Sequence, residues 1–234
     1  TLPLFYMLSF LYPVSRMIKG VVEDKENKIK EGLKMMGLTD LAYNLSWFIT
    51  LTVQMAITSG LIVLITGPSI FEHSDKSLVF LYFMAFSIAI MMFCFLISTL
   101  FDKAKSASLL GTLIFFATYF PYYSVASSQI SVGTKVSTCL LAPTCFALGA
   151  NVFADWEGGL VGVQTDNTST LTSNFSFTLT VVMLFVDAAL YGLLALYFDL
   201  VLPSEYGTQL PPHFFLMPSY WKQFFAQEDT GREL

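Results

Sequence analysis

Charge is what this chain has least of. Lys, Arg, Asp and Glu make up 12% of its 234 residues, against 55% hydrophobic. That is roughly half the charged share of a soluble domain, too little to coat a water-facing globule. Positive charge is scarcer still: 12 Lys and Arg face 17 Asp and Glu, a formal net charge of -5. No basic field exists to hold a phosphate backbone, which excludes nucleic acid as a partner. The three cysteines, Cys94, Cys139 and Cys145, follow no metal-ligand spacing and give no disulfide framework. The two histidines, His73 and His213, lie far apart. There is no G-x-x-x-x-G-K-[ST] loop to cradle phosphates, no G-x-S-x-G elbow and no H-E-x-x-H pair. Catalytic, cofactor-binding and metal-ligating residues are therefore not expected in this segment.

What is there is apolar length. Backbone groups in lipid must pair internally, so uninterrupted apolar runs of about 20 residues read as spanning helices. The expected fold is an all-α, polytopic membrane bundle with five spans, at about residues 1–18, 41–66, 77–101, 106–126 and 176–202. Gly67-Pro68 breaks the chain after the second span, and Pro121 kinks or stops the fourth. The chain opens at Thr1 inside an apolar run, without the charged start of a signal peptide, and reads as a piece of a longer protein. Residues 203–234 turn polar and read as a cytosolic linker.

Between the fourth and last spans, residues 136–154 are uncharged and could cross, but Pro143 interrupts them and Gly149, Gly158, Gly159 and Gly162 crowd the stretch after it. Topology parity favours an exoplasmic re-entrant hairpin over 134–156. With that hairpin, the sequons at Asn167 and Asn174 face outside, where glycosylation occurs. It also leaves Arg16, Lys19, Lys25, Lys28, Lys30, Lys34, Lys103, Lys105, Lys222 and Arg232 inside, and only Lys76 and Lys135 outside.

The most charged stretch, 22–37, is expected to form one cytosolic helix. Ile29, Leu33 and Met36 share a face, Asp24–Lys28 and Glu26–Lys30 are favourable i,i+4 pairs, and Gly37 suits its end. It could rest on lipid headgroups; its mixed charge favours a protein partner instead. Asp187 is a carboxylate inside a span, either a polar contact or gate on a transport path or a structural carboxyl, neutral or hydrogen-bonded to a neighbouring hydroxyl such as Tyr191. Ala104, Ala107, Ser108, Gly111 and Thr112 give small-xxx-small spacing, for close helix packing or an interface between halves.

The run from Lys25 through Glu26, Lys28, Lys30, Glu31, Leu33, Lys34, Met35, Met36 and Gly37 to Leu38 resembles a segment of the A subfamily of ATP-binding-cassette transporters. The likeness continues through Ser46-Trp47-Phe48-Ile49, Cys94-Phe95-Leu96-Ile97-Ser98, Tyr119-Phe120-Pro121-Tyr122, Leu190-Tyr191-Gly192, Pro203-Ser204-Glu205-Tyr206-Gly207 and Pro218-Ser219-Tyr220-Trp221. The resemblance implies helices two to six of a first transporter half, an outer re-entrant hairpin, and a nucleotide-binding domain elsewhere that holds ATP and Mg. It makes 22–37 the coupling helix, with Glu23, Lys25, Glu26, Lys28, Ile29, Lys30, Glu31, Leu33, Lys34 and Met36 at the docking face. Gly32 departs from the family, which has a better helix former there. The implied partners are the nucleotide-binding domain, a second transmembrane half, a lipid substrate and a plasma or internal membrane. A channel or scramblase independent of ATP, or a structural membrane subunit, is the alternative.

Overall fold

The computed structural model describes residues 2–202; of Lys30, Glu31, Lys34, Asp40 and Leu41 it describes only the backbone. The linker expected over 203–234 lies outside the described residues. Regular structure among the described residues is helical: α1 Leu2–Glu26, α2 Ile29–Met35, α3 Asp40–Thr66, α4 Lys76–Leu100, α5 Ala104–Ala117, α6 Pro121–Val125, α7 Val132–Thr138, α8 Ala142–Gly158 and α9 Phe177–Val201. An isolated bridge pairs Thr172 with Phe175.

Three of these helices, α3, α4 and α9, are long and apolar enough to cross a membrane, each with 25 qualifying residues. Local chemistry starts and stops them. The Thr39 hydroxyl accepts from Ala42 N at the head of α3, and Ser176 does the same for Leu179 N at the head of α9. Helix α4 is the hub, packed by α9, α3, α1, α8 and α5. Its first half carries an aromatic core in which Phe86 stacks on Phe146 at 4.0 Å between ring centroids. Tyr6 and Phe10 from α1 close against Phe83 and Phe146.

Several boundaries differ from the sequence expectation. Helix α1 does not stop near Ile18 but runs to Glu26, so residues 22–26 belong to it and the 22–37 segment is not one helix. The break falls at Asn27–Lys28, where Lys28 takes a left-handed φ of 56°. Gly37 (φ 93°) then ends α2, with Leu38 N donating to Leu33 O. The 106–126 segment is also divided. Helix α5 ends at Ala117, three residues of turn follow, and Pro121 opens α6 at a first-turn position, where its missing N–H costs nothing. At 14 residues, α5 is about 21 Å long by the helical rise.

Over 134–156 the chain forms two helices, α7 and α8, joined by a short turn. Asn174 Nδ2, beyond α8, donates to Ser128 O, before α7, at 2.8 Å. The adjacent Ser173 accepts from Lys135 Nζ of α7 at 2.6 Å and donates to Asp155 Oδ2 of α8 at 2.8 Å, so the loop after α8 ties the last turn of α8 to α7. Its turn lies deep along α9, where the Tyr191 hydroxyl donates to Leu140 O at 2.8 Å and accepts from Ala142 N at 3.2 Å. Tyr191 comes 14 residues after Phe177, which sets the turn on the order of 20 Å below the head of α9.

Candidate functional site: the braced end of the first helix

The acidic-basic stretch at the end of α1 binds the rest of the bundle through three consecutive side chains. Asp24 Oδ2 accepts from the Tyr43 hydroxyl at 3.0 Å and from Trp47 Nε1 at 3.1 Å, both on α3. Lys25 Nζ lies 2.8 Å from Asp102 Oδ1 and donates to Phe101 O at 3.3 Å, in the turn between α4 and α5. Glu26 Oε2 accepts from Ala104 N at 2.9 Å. The α5 N-cap, Lys103, offers no side-chain bond of its own, so Glu26 serves as a cap supplied from another helix, with its charge at the positive end of α5. Packing continues the brace upward. Ser15 and Ser108 hydroxyls meet at 2.7 Å, and a Cβ on Gly111 would come within 2.7 Å of Ile18 Cδ1.

Chemically this arrangement is a joint. Three charged residues from one helix end fix two other helices, and the chain then turns sharply at Lys28 into a short helix that projects away. Beyond the joint, Met35 is 86% exposed and Met36 77%, with Ile29 and Leu38 also open. Leu33 is half-buried, while Glu23 and Lys28 lie exposed. The side chains of Lys30, Glu31 and Lys34 are not among those described.

The small residues of α5 face α1. Ala104, Ala107 and Gly111 are buried there, Ser108 bonds Ser15, and Thr112 donates to Ser108 O. The opposite face of α5, with Leu109 and Leu113, is the exposed one.

Asp187 is wholly buried, and neither carboxylate oxygen has a hydrogen-bond partner among the described residues. Of the two structural alternatives, the bond to Tyr191 is not made, because the Tyr191 hydroxyl is committed to the turn between α7 and α8.

The end of the bundle opposite the joint is fastened by different chemistry. Glu157 accepts Ser74 N at 2.9 Å and His73 N at 3.2 Å, and Ser74 Oγ accepts Val163 N at 2.8 Å. Lys135, 1% exposed, donates to Ser173 O at 2.6 Å. Burial lowers its pKa, and Asp155 and then Cys139 partly offset this. Lys135 and Asp155 share a cavity of about 250 Å³ with Asn151 and Ser173. Both expected glycan acceptors use their amide nitrogen in loop bonds, Asn167 to Gly162 O at 2.9 Å and Asn174 to Ser128 O. Ser173 and Asn174 both take positive φ in the tight turn bridged by Thr172 and Phe175.

Among the described residues, no group of three or more His, Cys, Asp and Glu could hold a metal ion. With no phosphate-cradling loop in the sequence either, these residues do not fit ATP or Mg.

An all-helical bundle with three helices long and apolar enough to cross a membrane is consistent with a helical membrane domain. Accordingly, residues 1–197 match the profile of the ABC-2 family transporter proteins, and the chain belongs to that family. Its relatives are members of the A subfamily. It is 36% identical over 230 residues to "ATP-binding cassette sub-family A member 2" of Homo sapiens, covering 94% of this chain and 9% of that protein. It is 37% identical over 225 residues to "Retinal-specific phospholipid-transporting ATPase ABCA4" of Bos taurus, covering 94% and 10%. It is 36% identical over 247 residues to "Phospholipid-transporting ATPase ABCA3" of Mus musculus, covering 99% and 14%. The chain thus spans about a tenth of the length of these relatives.

Proposed function

We propose that the chain forms the membrane half of an ATP-driven phospholipid transporter, with α2 as the element that receives work from a nucleotide-binding domain elsewhere in the protein. The observation that carries this is the joint: Asp24, Lys25 and Glu26 bind α1 to α3 and to the head of α5, while Met35 and Met36 stand exposed just beyond. A push on α2 then reaches two further helices through side-chain bonds rather than through a flexible loop. Two relatives are named as phospholipid-transporting ATPases, which supports lipid as cargo.

In this reading ATP and Mg belong to the nucleotide-binding domain, and a second transmembrane half completes the path. Five membrane passes are counted: α1, α3, α4, α5 with α6, and α9. The unit of α7 and α8 is the exoplasmic re-entrant hairpin, supported by the loop after α8 that ties its two helices and by the depth of its turn along α9. The exposed leucine face of α5, not its small-residue face, is then the surface for the opposite half.

Vanadate-sensitive movement of fluorescent phospholipid by the full-length protein in proteoliposomes tests the reading. Transport that continues undiminished without ATP would favour a scramblase and overturn it.

A further inference from the structure

Helix α3 carries a row of polar residues at every fourth position: Ser46, Thr50, Gln54 and Thr58. It runs beside the row that includes Leu51, Met55, Ser59 and Val63, which is buried in the bundle. Three of the four polar side chains are satisfied within α3 itself. Ser46 donates to Tyr43 O at 2.8 Å, Thr50 to Ser46 O at 2.8 Å and Thr58 to Gln54 O at 3.0 Å. Gln54 differs. Its side chain is exposed, and its amide has no hydrogen-bond partner among the described residues.

Its depth makes this costly. Gln54 comes 14 residues after Asp40 and 12 before Thr66, so it lies about 20 Å from either end of α3, at the middle of a bilayer. An amide has two N–H donors and a carbonyl oxygen, and hydrocarbon satisfies none of them. A wall facing water or lipid headgroups would offer several free polar groups. Here the hydroxyls are turned back onto their own helix, and a single amide is left at the midplane, the pattern of an interhelical lock. Room for another helix exists: among the described helices, α3 packs along its length on α4, and Ile57, Leu61 and Leu64 are exposed. The relatives are several times longer than this chain, so most of such a protein lies outside these residues.

We infer that the Ser46–Thr58 row is the seat of a further transmembrane helix from the same polypeptide, outside these 234 residues, which presents a hydroxyl, amide or imidazole to Gln54. The hydroxyl-bearing residues keep the row narrow and let the two backbones approach, and the amide fixes register.

The test uses the full-length protein in its membrane, with a photoreactive benzoylphenylalanine at position 54 and, as a lipid-facing control, at position 64, where Leu64 is 74% exposed. The expected result is an intramolecular cross-link from 54 to a peptide of another membrane helix and capture of phospholipid from 64. Capture of phospholipid alone from 54 would overturn the inference. A Gln54→Cys variant gives a second readout: little reaction with a membrane-impermeant thiol reagent is expected, and labelling as fast as at an aqueous loop cysteine would show a water-lined wall and overturn it as well.

Discussion

The two ends of the bundle are tied by opposite means. At the inner end, three successive charged side chains of α1 reach across to α3 and to the head of α5, and the next helix projects with its methionines bare. At the outer end, Glu157 and Ser74 lock one loop onto another through backbone N–H groups, and α8 is sunk into an aromatic core. One end is joined helix to helix and left open to a partner; the other is closed on itself. The difference teaches where motion can enter: a force applied to α2 has direct routes to α3 and α5, whereas the outer corner has no projecting handle among the described residues.

The largest expected contrast comes from glycines. A Cβ at Gly149 would lie 2.5 Å from Thr180 Cγ2 and 2.7 Å from Tyr82 Cε2, so Gly149→Val should cost about 3 kcal/mol or prevent folding, read as a lowered melting temperature in detergent. Nothing lies within 4 Å of a Cβ at Gly32. Gly32→Ala at the inner end should be neutral or gain up to about 1 kcal/mol of helix stability. Equal losses at both sites would erase the distinction.

Carboxylates sharpen it next. Glu157→Gln weakens charge-assisted bonds to two backbone donors and should destabilise by about 1.5–3 kcal/mol. Glu26→Gln keeps an acceptor oxygen but removes the charge at the head of α5, a loss of about 0.3–1 kcal/mol. Its larger effect should be functional, with ATP hydrolysis retained while lipid transport falls severalfold. A Glu26→Gln protein with both activities intact would remove Glu26 from the joint.

Between the ends, Asp187→Asn replaces a carboxylate that has no partner among the described residues with a group of the same shape. Stability should change by less than about 1 kcal/mol, with transport kept. Loss of transport while hydrolysis persists would make Asp187 a path residue instead of a structural one. The smallest effect is on pH dependence. Burial holds the Lys135 pKa below its ordinary 10.5, so the unfolded chain binds this proton more readily. Stability should therefore rise as pH rises toward 10.5, and Lys135→Gln should remove that slope in melts monitored across alkaline pH.

Much of this was legible in the sequence, for reasons that are local. The long apolar runs mark α3, α4 and, despite Asp187 within it, α9, because length and apolarity are additive along a chain. Gly37 marks the end of α2 because glycine takes the positive φ that closes a helix at no steric cost, whereas the same conformation at Lys28 carries no such signal in the sequence. The joint was not legible. Asp24 and Lys28 sit at a spacing that reads as an i,i+4 pair, and nothing local says that the Asp24 carboxylate bonds Tyr43 and Trp47, 19 and 23 residues on. Tyr43 and Trp47, themselves one turn apart at the start of a span, were the available signal. The small residues of α5 were readable as a packing stripe, but spacing cannot name the partner, which is α1 through Ser15 and Ile18. Tyr191 shows the same limit: Asp187 is its neighbour on the helix, whereas the turn it holds lies about 50 residues back.

Cross-linking from Met36 tests the central claim most directly. In the full-length transporter, a cysteine at position 36 paired with cysteines on the nucleotide-binding domain should form a disulfide under mild oxidation, and the bond should abolish lipid transport until it is reduced. Labelling of the same cysteine by an impermeant reagent added from the exoplasmic side would contradict the account.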